Sequence, residues 1–167
     1  VDQKLLTLLH FNLVRALTEL VLILRLDPDK MNDDIESPWI EGSDLAVENL
    51  PETMRPTRLQ REIPHHPEAD MFPFPEYRDN LILAGKEVDD VELCMDILYG
   101  VDPEEIRGSA SGRTGLIVWD DPWLQTSWEV EEGFARKWKR LVGNCGSLIN
   151  STNYWRRSRG EKPLLLD

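Results

Sequence analysis

Apolar residues recur at helical spacing through the first 26 positions. Leu5, Leu9, Leu13, Ala16, Leu20 and Ile23 predict a helix from about Lys4 to Leu26. Asp27-Pro28 stops it, because a residue before proline avoids helical geometry. Lys4, Thr7, Arg15, Thr18 and Arg25 share the other side, yet Phe11 and Leu22 fall among them. A helix with one buried face does not put large apolar groups on its polar side. Either the helix is buried nearly all round, or Phe11 and Leu22 meet another chain. Burial is the expectation, with the interface as its rival. The apolar stretch between Lys4 and Arg15 is about half the ~20 residues a membrane span needs, so a core helix is expected rather than a span. No signal-peptide cleavage pattern follows it.

The period is lost from 27 to 75. Seven of the eleven prolines lie between Pro38 and Pro75. Proline lacks a backbone donor and favours extended or turn geometry, so this stretch is expected to wrap over the surface as irregular chain. Trp39, Leu50, Leu59, Ile63, Met71, Phe72 and Phe74 would pin it down. Periodicity then returns, with helices expected at about Pro75–Ala84 and Asp89–Leu98 and a stop at Gly100. Residues 108–115 read as a flexible loop by composition. Leu116 to Trp119 is a short apolar run, extended or helical.

Further on, Asp121-Pro122 suits a helix N-cap and first turn, and Thr126 with Glu129 suits a capping box. The helix they predict puts Val130, Phe134, Trp138 and Leu141 on one face, with acids at its start and bases near its end. A last helix, about Ser147–Arg159, ends at Gly160. The chain therefore reads as mainly α. It is expected to be a single compact helical domain over 1–167, with an N-terminal helix (1–26), a long Pro-rich irregular segment wrapped on it (27–75) and a helical core (76–161).

Composition narrows the functions. Among 167 residues the formal net charge is −12, which argues against direct nucleic-acid contact and against an anionic lipid surface. The charge is segregated. Residues 27–54 sum to −8, residues 68–105 to −10 and residues 136–162 to +7, so internal pairing between acidic and basic blocks is expected. The two cysteines, Cys94 and Cys145, have no zinc or CxxC spacing and read as buried thiols in a reducing compartment.

Candidate chemistry is sparse. His65-His66 with Asp70 is the nearest approach to a metal or acid/base cluster. Adjacent histidines point apart in extended chain, and no third ligand is evident, so no metal or cofactor is expected. The imidazoles are expected to satisfy backbone groups in the proline-rich segment. The loop Gly108 to Arg113 has neither a P-loop nor a dinucleotide-binding spacing. Arg107 before Ser109 is a weak phosphorylation signal. The acidic run Asp89, Asp90, Glu92 and Asp96 reads as a solvated face. Four of the six tryptophans, Trp119, Trp123, Trp128 and Trp138, lie close in sequence and either fill a core or line a small-molecule pocket.

Several strings carry a resemblance. They are Leu50-Pro51 through Pro56-Thr57-Arg58-Leu59-Gln60; Ile63-Pro64-His65-His66-Pro67 with Phe74-Pro75 and Arg78-Asp79-Asn80-Leu81; Gly115 through Trp119-Asp120-Asp121-Pro122-Trp123; and Ser151-Thr152-Asn153-Tyr154-Trp155-Arg156 with Arg159-Gly160-Glu161. In that order they resemble the fungal domain of unknown function that follows a basic-leucine-zipper region in predicted transcription factors, over about residues 50–161. His65, His66, Arg78, Asp79, Asn153, Trp155 and Arg156 stand out in these strings as structural candidates. The resemblance implies a nuclear, regulatory setting and assigns no catalytic residue. A basic-leucine-zipper region runs a basic helix into leucine heptads, and this sequence contains neither. The expectation is a non-enzymatic regulatory or interaction domain, without its own DNA-binding segment, that meets a protein partner or a second copy of itself. The alternatives are a small-molecule sensor with a Trp-lined pocket and a metal-dependent or acid/base enzyme using His65 and His66.

Overall fold

The computed structural model describes residues 3–31, 33–42, 45–101 and 114–166. It is mainly helical, with one two-stranded sheet. Helix α1 (Gln3–Ile23) is followed by short helical turns, among them α2 (Pro38–Glu41) and α3 (Arg58–Glu62). Then come α4 (Pro75–Ala84), α5 (Asp90–Tyr99), strands β1 (Leu116–Val118) and β2 (Trp128–Val130), and helices α6 (Glu132–Lys137), α7 (Lys139–Val142) and α8 (Gly146–Ser158). The strands pair antiparallel, with Leu116 opposite Val130, Ile117 opposite Glu129 and Val118 opposite Trp128. Helix α1 lies on β1, α8 on β2, and α4 on α7. One hydrophobic cluster joins these elements, from Leu13 and Leu20 through Phe72 and Phe74 to Val118, Trp128, Phe134 and Leu148.

Helix α1 buries Leu9, Leu13, Ala16 and Leu20, the face its periodicity marks. It is not buried all round. Phe11 is 63% and Leu22 61% exposed, and Leu5, Leu8 and Val14 are exposed beside them. The reason is packing: β1 and α5 lie on the inward side of α1, and the opposite side stays open to solvent at Leu8, Phe11 and Leu22. By length and composition alone α1 could cross a membrane, but its inward face belongs to the core.

The proline-rich stretch is less irregular and less superficial than its composition suggests. It forms a run of one-turn helices, several opened by a proline at the first helical position. Thr57 and Gln60 form a reciprocal capping box that starts α3. Leu50, Met54, Met71, Phe72 and Phe74 belong to the core itself.

The helix expected after Thr126 does not form there. Gln125–Ser127 is a 3-10 turn, and Trp128–Val130 is β2. Strand alternation sends Glu129 away from Trp128 and Val130, toward Trp119 and Arg159. The helix begins later, with Glu131 as its cap, whose carboxylate accepts from the Gly133 and Phe134 N–H groups. Asp121-Pro122 is a turn, closed by the Leu124 N–H on the Asp121 carbonyl. The apolar run at 116–118 is extended. Of the flexible loop expected at 108–115, residues 108–113 and the Arg107/Ser109 pair lie outside the described residues, while Thr114 and Gly115 are buried and hydrogen-bonded rather than loose.

The basic end does pair with acidic chain. Lys137 lies 2.7 Å from both Glu92 and Asp96, Arg140 meets Glu87, and Arg159 clamps the buried Glu129. Cys145 is buried, and Cys94 is half-buried; both are free thiols.

Gly115 ties α5 to the sheet. Its N–H donates to the Ile97 carbonyl and its own carbonyl accepts from the Glu131 N–H, both at 2.9 Å. A methyl group there would run into the Asp96 carbonyl and the Phe134 ring. Gly115→Ala is therefore expected to lower stability by about 1–3 kcal/mol, read as an earlier midpoint in urea denaturation; an unchanged midpoint would contradict this packing.

Candidate functional site

Arg78 is fully buried, delivered by the first turn of α4. Its Nη1 donates to the carbonyls of Thr53 (2.8 Å) and Phe72 (2.7 Å). Nη2 donates to the Arg55 carbonyl at 2.9 Å, and Nε to Gln60 Oε1 at 3.0 Å. No carboxylate touches the guanidinium in this set. Gln60 relays instead, its Nε2 donating to Asp70 Oδ1 at 2.6 Å. Asp70 also accepts from the Ser37 hydroxyl (2.7 Å) and from His65 Nε2 (2.8 Å). Burial pulls Arg78 down to about 10, which leaves it charged at neutral pH.

His65 meets acceptors on both ring nitrogens. Nδ1 lies 2.6 Å from the Ile63 carbonyl and Nε2 2.8 Å from Asp70. Two N–H donors, as in the imidazolium, satisfy both contacts. Burial works against that charge, but the bonds to Asp70 and Ile63 and the nearby Asp70 and Glu36 charges outweigh it and hold His65 above its ordinary 6.5. His66 faces the other way, its Nε2 on the Asp33 carbonyl and its Nδ1 accepting from the Glu68 N–H. Asp79 accepts from the Thr57 hydroxyl at 2.5 Å. His65, Asp70, Gln60 and Arg78 thus form one buried lattice, and His66 stands outside it. The lattice holds residues 37, 53–60, 63 and 70–72 together, and its His65 side chain is only 5% exposed.

Asn153, Trp155 and Arg156 belong to a second group, on α8. Asn153 clamps the final segment, donating to the Leu164 carbonyl and accepting from its N–H. Arg156 Nε donates to the Lys162 carbonyl at 2.7 Å. Trp155 stacks on Trp119 at 5.1 Å, and each indole N–H is engaged, with the Thr126 carbonyl and Glu129 respectively. Arg159 lies over the Trp119 ring, 5.6 Å from its centroid.

The four clustered tryptophans do not share a pocket. Trp128 is fully buried at the centre of the core, packed edge-on against Phe72 and Phe74. Trp138 hydrogen-bonds Asp96 at the α5 side, and Trp123 packs on the core edge, where its carbonyl accepts from Thr53. Trp119 lines a cleft of about 630 Å³, with Trp155, Tyr154 and Leu124 as its other apolar walls. Sequence spacing missed Trp155 and Tyr154 as partners of Trp119 because α8 reaches the sheet only by folding back. It also missed Ser37, although Ser-Pro at a helix start was a readable capping signal. Among the described residues no group of three or more His, Cys, Asp or Glu is placed to hold a metal ion.

Two outcomes follow for the lattice. Arg78→Lys keeps the charge but loses the planar fork, leaving buried carbonyls without donors. It is expected to cost about 2–4 kcal/mol in chemical denaturation, and a cost below 1 would refute the anchoring role. Because the folded state raises the His65 pKa, its contribution is fully present below pH 6.5 and is lost as pH rises through the raised value. His65→Gln should flatten that part of the stability–pH curve; an identical curve in both proteins would show that His65 does not supply it.

A protein-family model described as a domain of unknown function (DUF3425) matches residues 35–149. No curated protein matches the chain, and no solved structure does. The matched residues take in the whole Arg78 lattice and the β1–β2 hairpin, well over half of the chain. This chain therefore belongs to the DUF3425 family of domains of unknown function.

Proposed function

We propose that the chain is a non-enzymatic regulatory interaction domain, of the kind that accompanies a basic-leucine-zipper segment in a fungal transcription factor, acting in the nucleus. The resemblance in its strings supports the setting. The net charge of −12 supports a role by protein contact rather than by contact with nucleic acid. The observation that carries the reading is the outward face of α1. Leu8, Phe11 and Leu22 are 53%, 63% and 61% exposed along one helix of 21 residues. Solvent-facing apolar groups of this size, repeated along a helix, favour burial against a second helix.

The occupant proposed is a second copy of this chain, pairing α1 with α1. Arg15 and Glu19, joined at 2.7 Å in the middle of the helix, would set the register of such a pair. Light scattering on the wild-type chain should give a dimer, and Phe11→Asp/Leu22→Asp should give a monomer of unchanged helical content. A wild type that stays monomeric at high concentration would overturn the self-pairing. Partition of α1 into neutral phospholipid vesicles would overturn it in favour of a membrane contact.

A further inference from the structure

The fold brings the two acidic sequence blocks together. Met31, Asp33 and Asp34 lie beside α5 and the turn at 67–70, and a groove of about 490 Å³ runs between them. Asp33 and Asp34 come from the first block, Glu68 and Asp90 from the second. Part of the remaining wall is apolar. Met31, Val91 and Met95 line it, and Val91 is 73% and Met95 51% exposed. Residues 91 and 95 stand one helical turn apart on α5, so they form a stripe rather than scattered contacts.

The groove has one sign of charge. No Lys or Arg lines it. Lys137 and Arg140 are engaged elsewhere, with Glu92, Asp96 and Glu87. Among the described residues no Lys or Arg forms an ion pair with Asp33, Asp34, Glu68 or Asp90. His66 sits in the wall, its Nε2 on the Asp33 carbonyl and its Nδ1 3.9 Å from the Glu68 carboxylate. Glu68 is the most enclosed of the four. Burial pushes its carboxyl up, His66 opposes that, and Asp90 adds to it, so a cation arriving there would relieve an existing strain on the carboxylate.

We propose that this groove binds a basic, amphipathic peptide segment of a partner protein, with Lys or Arg on the carboxylates and apolar side chains on Met31, Val91 and Met95. Carboxylates around an exposed apolar stripe complement a helix that alternates bases with apolar residues, and flexible methionines adapt to its side chains. The site is separate from the outward face of α1, so the two proposals stand or fall independently.

The probe is a fluorescein-labelled synthetic peptide of Lys and Leu at helical spacing, titrated with the full chain and followed by anisotropy. Asp33→Asn/Asp34→Asn and Val91→Ser/Met95→Ser should each weaken binding about tenfold. Glu48→Gln/Glu52→Gln removes the same charge from the same acidic block outside the groove and should leave affinity unchanged, as should Phe11→Asp/Leu22→Asp. Bound peptide should also slow alkylation of Cys94, which lines the groove, while Cys145 stays buried throughout. Equal weakening by the Glu48/Glu52 control would reduce the interaction to net charge and overturn the proposal. So would full affinity in Val91→Ser/Met95→Ser, unaltered Cys94 reactivity, or no binding at all.

Discussion

The guanidinium of Arg78 lies wholly inside the protein and gives its donors to the carbonyls of Thr53, Arg55 and Phe72 and to Gln60. The stretch it holds is rich in proline and cannot build a regular ladder, since each proline removes a backbone donor. Its carbonyls still have to be satisfied when they are buried. A planar fork with five N–H groups does this from one point, which a lysine could not. Gln60 then carries the connection to Asp70, and Asp70 gathers Ser37 and His65. The irregular chain is therefore ordered by a polar centre, around which Met54, Met71, Phe72 and Phe74 can enter the core.

That centre is tied to the rest of the fold through α4. Two residues beyond Arg78, Asn80 donates to the Leu141 carbonyl and to Asn144, at the junction of α7 and α8. Helix α8 in turn supports the hairpin: Thr152 accepts from the Val130 N–H, and Ser151 donates to the Thr126 and Trp128 carbonyls. Arg159, just past the end of α8, closes the outer side with a two-point clamp on the buried Glu129. Burying a carboxylate is costly unless it is paired and hydrogen-bonded, and Glu129 has both the arginine and the Trp119 N–H.

The charge segregation divides into two uses. Carboxylates near α6 and α7 are consumed by the basic end of the chain. Those around residues 33, 34, 68 and 90 have no such partner among the described residues and face solvent beside an apolar stripe. Most of the exposed large apolar groups likewise lie on two helices, α1 and α5, which are joined away from the outward face of α1 by His10 stacking on Tyr99 at 5.4 Å.

Local signals carried much of this in advance. The 3.6-residue period gave α1, α4, α5 and α8, because each has an inward face whose spacing survives whatever it packs on. Gly100 and Gly160 mark ends because glycine acts through its own backbone, whereas α1 ends at Ile23, ahead of Asp27-Pro28, with Arg25 at a φ of 53°. The strings around Gln60, His65 and Arg78 pointed to a structural motif, without showing which atoms would meet. The sequence by itself thus determined the mainly helical class, several helix ends and part of the polar centre, with Ser37 left out. Tertiary structure decided the rest. It turned 128–130 into a strand, because Trp128 and Val130 reach the core only by alternating beside β1. It separated four neighbouring tryptophans and paired Trp119 with Trp155, and it left one side of α1 open. Those outcomes depend on which distant surface arrives against a residue, and spacing along the chain holds no record of that.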